Sequence, residues 1–287
     1  MRKLLAVSIL ILFLVGEFSA SAFAGTDGGH NTIGATAAST TWYFAEGYTG
    51  DSFEEWLCLQ NPGATSARVS ITYMFREGEA LTKTKTIPAH TRETVSVNSD
   101  VGPNQEVSIK IDSDQAIIAE RPMYFNYQGK GQGGHNTIGA TSPRFAWYFA
   151  EGYTGAGFHE YICLQNPGDA PSDVTIEYRF RGGGGTTQYL TIGPGTRETV
   201  YVNSIVGPDR EVSAKVTSNQ LIVAERPMYF DFRDYDGGHN VLGAVDPSYF
   251  WYFAEGYTGY GFQEYLTLLN PNANPATVSI CYMYRDG

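Results

Sequence analysis

Glu46 and Glu55 flank a glycine- and aromatic-rich stretch, and the pair returns as Glu151/Glu160 and as Glu255/Glu264. Paired carboxylates carry out glycoside hydrolysis, one as acid and the other as base or nucleophile. That chemistry needs a set separation between the two groups, which spacing along a chain does not supply. An active site copied into every unit of a tandem array is also unusual. A lone histidine recurs as His30, His135 and His239, each time after two glycines. It has no second histidine beside it and no G-x-S-x-G nucleophile nearby. The glycines point to a tight turn whose ring packs on, or hydrogen-bonds to, a neighbouring module. No residue is assigned a catalytic role, and the chain reads as a non-enzyme.

The aromatic residues carry the sharper binding chemistry. Tyr48 and Phe53 sit in a glycine-rich loop, with equivalents Tyr153/Phe158 and Tyr257/Phe262. Flat ring faces beside polar groups suit sugars, and several weak sites on one chain gain by avidity. The competing reading has these rings plug one end of a module or bury the joint between modules, since each aromatic buries ~150–250 Å². That packing reading is preferred. Arg121 and Arg226 follow a glutamate in AERP within otherwise apolar strands, so each needs a carboxylate partner, and Glu46 and Glu151 are the expected ones.

Metals and thiols offer less. Asp112-Ser-Asp114 and Asp231…Asp234…Asp236 supply oxygens without the ligand spacing of a calcium loop, so they read as solvated turn carboxylates. No zinc spacing occurs and no cofactor is expected. Cys58 and Cys163 occupy one position in successive copies, where the third copy has Thr267, and no module holds two cysteines for a bridge.

The elements that must hold these residues follow from a repeat. The histidines, and Trp42, Trp147 and Trp251, recur at separations of 105 and 104 residues. A period of that length fits a β-sandwich of roughly 100 residues rather than a solenoid turn. Val69, Ile71, Tyr73 and Phe75 alternate with Ser70, Thr72 and Met74, the period of a half-buried antiparallel strand. About seven strands are predicted in the first copy, at 41–45, 54–60, 68–75, 81–87, 93–98, 106–111 and 116–125. Turn residues such as Asn61-Pro62-Gly63 and Gly102-Pro103-Asn104 separate some of them. Helical periodicity is absent. Pro122 lacks a donor and is expected at an edge or bulge. The predicted units are residues 25–132, 133–236 and a truncated third copy at 237–287, with polar, Gly-rich linkers at 126–132 and 231–236.

The combined pattern WYFAEG-x-TG, VxIxY, AERPMYF and GGH-x-x-x-G resembles an uncharacterised tandem repeat module of bacterial secreted and surface proteins. The resemblance covers nearly all of residues 28–287. It implies tandem antiparallel immunoglobulin-like β-sandwiches and an extracellular setting, and it transfers no catalytic residue.

Met1-Arg2-Lys3, the apolar stretch from Leu4 to Val15 and Ala22-Phe23-Ala24 form a secretory signal peptide over residues 1–24, too short in its apolar core for a membrane span. After its cleavage no span is expected. The formal net charge of −11 repels phosphate backbones, so nucleic acid is not an expected partner. Expected partners are neighbouring modules and an extracellular glycan or protein. The sequence therefore describes a secreted or cell-surface β array, structural or adhesive, with a carbohydrate-binding array as the alternative. The third copy aligns only with the first three strands, leaving Val278, Ile280, Tyr282 and Tyr284 without an opposing sheet. This expectation makes the chain a fragment, or docks its end on module two or another chain.

Overall fold

The structure, a computed structural model, describes residues 29–129, 132–232 and 235–285. The expected signal peptide lies outside the described residues, as does Asp234. The chain is all-β, built as two antiparallel curled sheets of seven strands each. The first comprises β1 (Ser39–Phe44), β2 (Phe53–Asn61), β3 (Ala67–Phe75), β4 (Leu81–Ile87), β5 (Thr91–Ser96), β6 (Val107–Asn126) and β7 (Gln132–Ile138). The second repeats this as β8 (Arg144–Phe149), β9 (Phe158–Asn166), β10 (Ser172–Phe180), β11 (Gly185–Ile192), β12 (Thr196–Tyr201), β13 (Val212–Phe232) and β14 (Tyr235–Leu242).

One long strand organises each sheet. The first half of β6 pairs with β3 and β1, as in Ile71↔Ile111 and Trp42↔Ile111. Its second half pairs with β2 and β7, as in Phe53↔Phe125 and Met123↔His135. Between the halves, the register against β1 jumps from Asp112 to Ile117. This irregularity absorbs the polar residues Ser113-Asp114-Gln115, which the sequence reading took for a turn between two strands. They form one strand instead. The Trp42 indole closes the bend, donating to the Ile117 carbonyl at 3.0 Å, as Trp147 does to Ile222 at 2.9 Å. Buried residues from both halves, including Leu57, Leu59, Val69, Ile71 and Ile111, share one core.

Three further expectations change. The seventh strand is β7, read from sequence as linker and the head of the second unit, so residues 132–138 pair within the first sheet and the boundary after 132 cuts a strand pair. Glycine here serves close approach rather than slack: a Cβ on Gly133 would lie 2.8 Å from the Phe125 ring. Next, two short helices, α1 (Val97–Val101) and α2 (Val202–Val206), follow β5 and β12, and α1 takes the last two residues of the strand expected at 93–98. Asn98 holds α1 to β2, accepting from the Glu55 amide at 2.8 Å and donating to the Phe53 carbonyl at 2.8 Å. Last, Pro122 lies in the central strand, not at an edge; the register with β2 simply lacks pairs between Cys58↔Glu120 and Glu55↔Met123.

Residues 245–285 form no strand, and Tyr257, Phe262, Val278, Ile280, Tyr282 and Tyr284 are exposed. The pairing scheme explains this. β1, β2 and β3 each pair with β6 and not with one another, and residues 245–285 contain no counterpart of β6. No helix among the described residues is long and apolar enough to cross a membrane.

Candidate functional site at the seam between repeats

The fixed phrase WYFAEGYTG runs from β1 into a loop whose glycines are dictated by contact. A Cβ on Gly47 would sit 2.4 Å from the Val107 carbonyl oxygen and 2.7 Å from the Glu55 carboxyl. One on Gly50 would strike the Tyr48 ring at 2.2 Å. Thr49 locks the loop to the following turn, donating to the Gly102 carbonyl at 2.7 Å and accepting from the Gln105 amide at 3.0 Å. The loop thereby presents Ala45 and Glu46 to the second repeat.

There the second repeat supplies a carboxylate. Glu225 accepts from the Ala45 amide at 2.9 Å and from the Glu46 amide at 3.4 Å. Arg121 bridges the repeats, donating to Glu46 Oε2 at 2.6 Å and to Glu225 Oε2 at 3.3 Å. Tyr229 Oη donates to Glu46 Oε1 at 2.9 Å, and Asn240 Nδ2 to Glu225 Oε2 at 2.5 Å. All of these side chains are buried. Arg226 makes the corresponding contact with Glu151 at 2.9 Å within the second repeat.

The two acids of the cluster titrate differently. Burial drives the Glu46 carboxyl upward, but Arg121, His135 and the hydrogen bonds from Arg121 and Tyr229 outweigh it and hold it below the usual range. Glu225 is raised by burial, because Arg121 serves it less closely. His135 Nε2 lies 3.7 Å from Glu46, yet burial lowers the imidazole to about 3, so this is a polar contact with a neutral ring. His239 stands 3.6 Å from Glu151 in the same relation. His30 reaches the Asn136 carbonyl from a partly buried position.

Around this centre lies a charged rim and an aromatic patch. Arg197 donates to Glu106 at 2.6 Å, and Arg76 to Glu198 at 2.5 Å, each across the repeats. Phe53 stacks on Phe125 at 5.7 Å, and both meet Tyr229 edge-on. Tyr127 stacks on Tyr229 at 4.5 Å and shares a 2.9 Å hydroxyl hydrogen bond with Tyr161. Phe53 is thus seam packing, while Tyr48 leans edge-on against it and keeps 37% of its surface. Tyr153 and Phe158 keep the same edge-on geometry at 4.9 Å, with Phe158 stacked on Phe230.

The third copy corrects the sequence reading. Phe262 and Tyr257 are expected to pack at a module joint or present a ligand site as their counterparts would, but Phe262 lies in no strand. It is 63% exposed, against 8% for Phe53, although it still meets Tyr257 edge-on at 4.9 Å. The physical reason is the missing partner ring. Phe53 stacks on Phe125 of β6 and Phe158 on Phe230 of β13, and residues 245–285 hold no equivalent strand for Phe262 to stack on.

Glu55 and Glu160 are the remaining acids. Burial raises each to about 8, so both are largely neutral at pH 7. A lowered Glu46 beside a raised Glu55 has the electronic form of a base and an acid. However, 4% of Glu46 and none of Glu55 is accessible, so a substrate has no approach to the pair. Among the described residues no group of three His, Cys, Asp or Glu is arranged to hold a metal ion. Cys163 is buried and its thiol raised to about 12.

The sequence reading named Glu46, Arg121, Glu151, Arg226 and the histidines but missed Glu225, Tyr229, Arg197, Glu106 and Asn240. The missing signal is the strand period within AERPMYF. Arg121, Met123 and Phe125 of the first copy point toward the second repeat, whereas Glu225 and Tyr229 of the second copy point back toward the first. One strand thus carries both halves of the joint, on opposite faces.

No family model matches the sequence, and no curated protein matches it. Several solved structures align with part of the chain, among them these two. One is a crystal structure of Thermotoga maritima 1070, 18% identical over 36% of this chain and 94% of that chain, at TM-score 0.34. The other is the Anabaena sensory rhodopsin transducer, 24% identical over 31% and 91%, at TM-score 0.28. At those scores neither carries an argument about this chain.

Proposed function

We propose that the chain is an exported, non-enzymatic array of immunoglobulin-like β-sandwich repeats that serves as a structural or adhesive segment of a bacterial cell-surface protein. The observation that supports this is the fate of the residues held fixed between copies. Glu46, Phe53, Arg121 and His135 are all enclosed at or beside the joint between repeats. The joint between the first two repeats accounts for these fixed residues without a ligand. The signal-peptide reading of residues 1–24 supplies the export. The test is fractionation of expressing cells, with mass spectrometry of the mature N-terminus. Surface or medium protein beginning near Gly25 is the expected result, and a cytosolic product retaining residues 1–24 overturns it.

A second reading, the carbohydrate-binding array, draws on one observation. At the far end of the second repeat, Tyr153 and Phe158 line an open groove with Glu151, Arg179 and His239. Glycan-array binding abolished by Tyr153→Ala, at unchanged melting temperature, would establish it in place of the structural reading.

A further inference from the structure

The joint between the repeats has two unlike faces, and each outer end of the pair carries one of them. On the second repeat the joint uses Arg197, Glu198, Glu225, Tyr229 and Asn240. One period earlier these are Arg92, Glu93, Glu120, Tyr124 and Asn136, on the outer face of the first repeat. That face is already organised as in the joint: Asn136 donates to Glu120 at 2.7 Å, as Asn240 does to Glu225. Its cover is partial: His30 reaches the Asn136 carbonyl and Asn31 beside it donates to Glu255 at 2.6 Å, but the tyrosine and arginine stay open. Tyr124 is 57% exposed against 5% for Tyr229, and Arg92 is exposed where Arg197 is buried.

The opposite end carries the other face. Glu46, Arg76, Glu106, Arg121 and Phe125 recur as Glu151, Arg181, Glu211, Arg226 and Phe230. Arg226 holds Glu151 and Phe230 stacks on Phe158 at 5.6 Å, as their counterparts do in the joint. Glu151 remains 42% exposed, against 5% for Glu46. Residues 265–270 line the same groove, but residues 245–285 align with 141–181, which contain no counterpart of Arg197, Glu225 or Tyr229. The charged half of this face therefore has no matching ligand among them.

We infer that the chain associates head to tail with a second copy of itself, the Glu120/Tyr124/Arg92 face of one molecule seating on the Glu151/Arg226/Phe230 face of the next. The charges match by construction: Glu120 meets Arg226, Arg92 meets Glu211 and Glu93 meets Arg181, each pair the counterpart of a contact within the chain. Because the two faces differ, the contact is heterologous, and such contacts build open chains unless the rotation closes a ring. The inference goes beyond the structural reading and does not depend on export.

Sedimentation velocity of the full chain, from about 1 μM to about 0.5 mM, tests it. The expected result is growth with concentration beyond a dimer. Two variants then separate the faces. Tyr124→Ala/Glu120→Gln removes the first face. Arg181→Glu/Glu211→Arg reverses the second while keeping its internal 2.8 Å ion pair, which guards the fold. Each variant alone should stay monomeric at unchanged melting temperature, and their equimolar mixture should form a dimer and stop there. A wild-type chain that stays monomeric throughout has its end face satisfied by residues 245–285 or left bare, and overturns the inference. Association that persists in either variant alone overturns it too, because it would then run through other surfaces such as the exposed aromatics of 249–284.

Discussion

Arg121 of the first repeat and Glu225 of the second, 104 residues apart in sequence, lie 3.3 Å apart with no accessible surface on either side chain. A buried ion pair is weak evidence of net stability, yet removing one partner is costly because the other charge is left without compensation. Arg121 faces two carboxylates, Glu46 and Glu225, so its loss strands both. Arg121→Met should therefore destabilise by about 3–5 kcal/mol. Arg226→Met, whose partner Glu151 is 42% exposed, should cost far less. Chemical denaturation of the two variants checks this, and equal losses would remove the joint from the explanation.

The aromatic loop divides by burial. Phe53 is 8% exposed and wedged among Phe125, Tyr127 and Tyr229, so Phe53→Ala should cost about 3 kcal/mol. Tyr48, in the same loop and partly exposed, should cost no more than about 1 kcal/mol as Tyr48→Ala. Thermal melts of both variants decide between a packing loop and a presented one.

Stability should peak in mild acid. Burial raises Glu55 and Glu160 to about 8 from an ordinary 4.5, so between those values the folded chain holds protons that the unfolded chain has released. Stability then falls as pH rises through that window and levels off above it. His135 and His239 work in the opposite sense: burial lowers them to about 3 and about 4 from 6.5, so stability rises with pH until the unfolded imidazoles are neutral. Together they predict a melting temperature that climbs from pH 3 to 4.5, changes little to 6.5 and declines toward 8. Glu55→Gln should raise the melting temperature at pH 8 by about 3 °C or more and change it little at pH 4. A flat profile from pH 6.5 to 8 would contradict the buried neutral acids.

Much of the fold was legible because strand alternation survives in sequence: the faces of β3 and of its counterpart β10 read directly. What was not legible was continuity. Ser113-Asp114-Gln115 looks like a turn locally, and only the non-local pairing of Trp42 and Ile117 shows that β6 bends through it. Gly133 and Gly134 read as a tight turn because paired glycines signal a reversal, whereas here they lie in β7 and admit the Phe125 and Tyr124 rings. At the site, Arg121 and Glu46 could be paired on charge in an apolar setting. Glu225 could not, because beyond Asn240 of its own unit its partners are backbone amides and an arginine of another unit, which no local pattern encodes. Phe262 misleads for the same reason: its local phrase matches that of Phe53, but its burial depends on a distant strand that residues 245–285 do not contain.

Residues 245–285 should behave as a separate, unprotected segment. Tyr249, Tyr252 and Tyr260 are almost fully exposed and lie in no strand. Brief chymotrypsin digestion followed by mass spectrometry should find cuts after these tyrosines, and after Phe262, well before any within residues 133–242. Equal resistance would mean that the segment folds without a counterpart of β6.

The central claim is that the joint makes the two repeats one cooperative body, and differential scanning calorimetry tests it most directly. Coupled repeats should melt in a single transition whose calorimetric and van't Hoff enthalpies agree, giving a ratio of about 1. Glu225→Ala, which removes the carboxylate held by Arg121, Asn240 and two amides of the first repeat, should split that transition or lift the ratio toward about 2. A wild-type chain that already melts with a ratio of about 2, unchanged by Glu225→Ala, would mean that the repeats unfold independently and that the joint does not hold them.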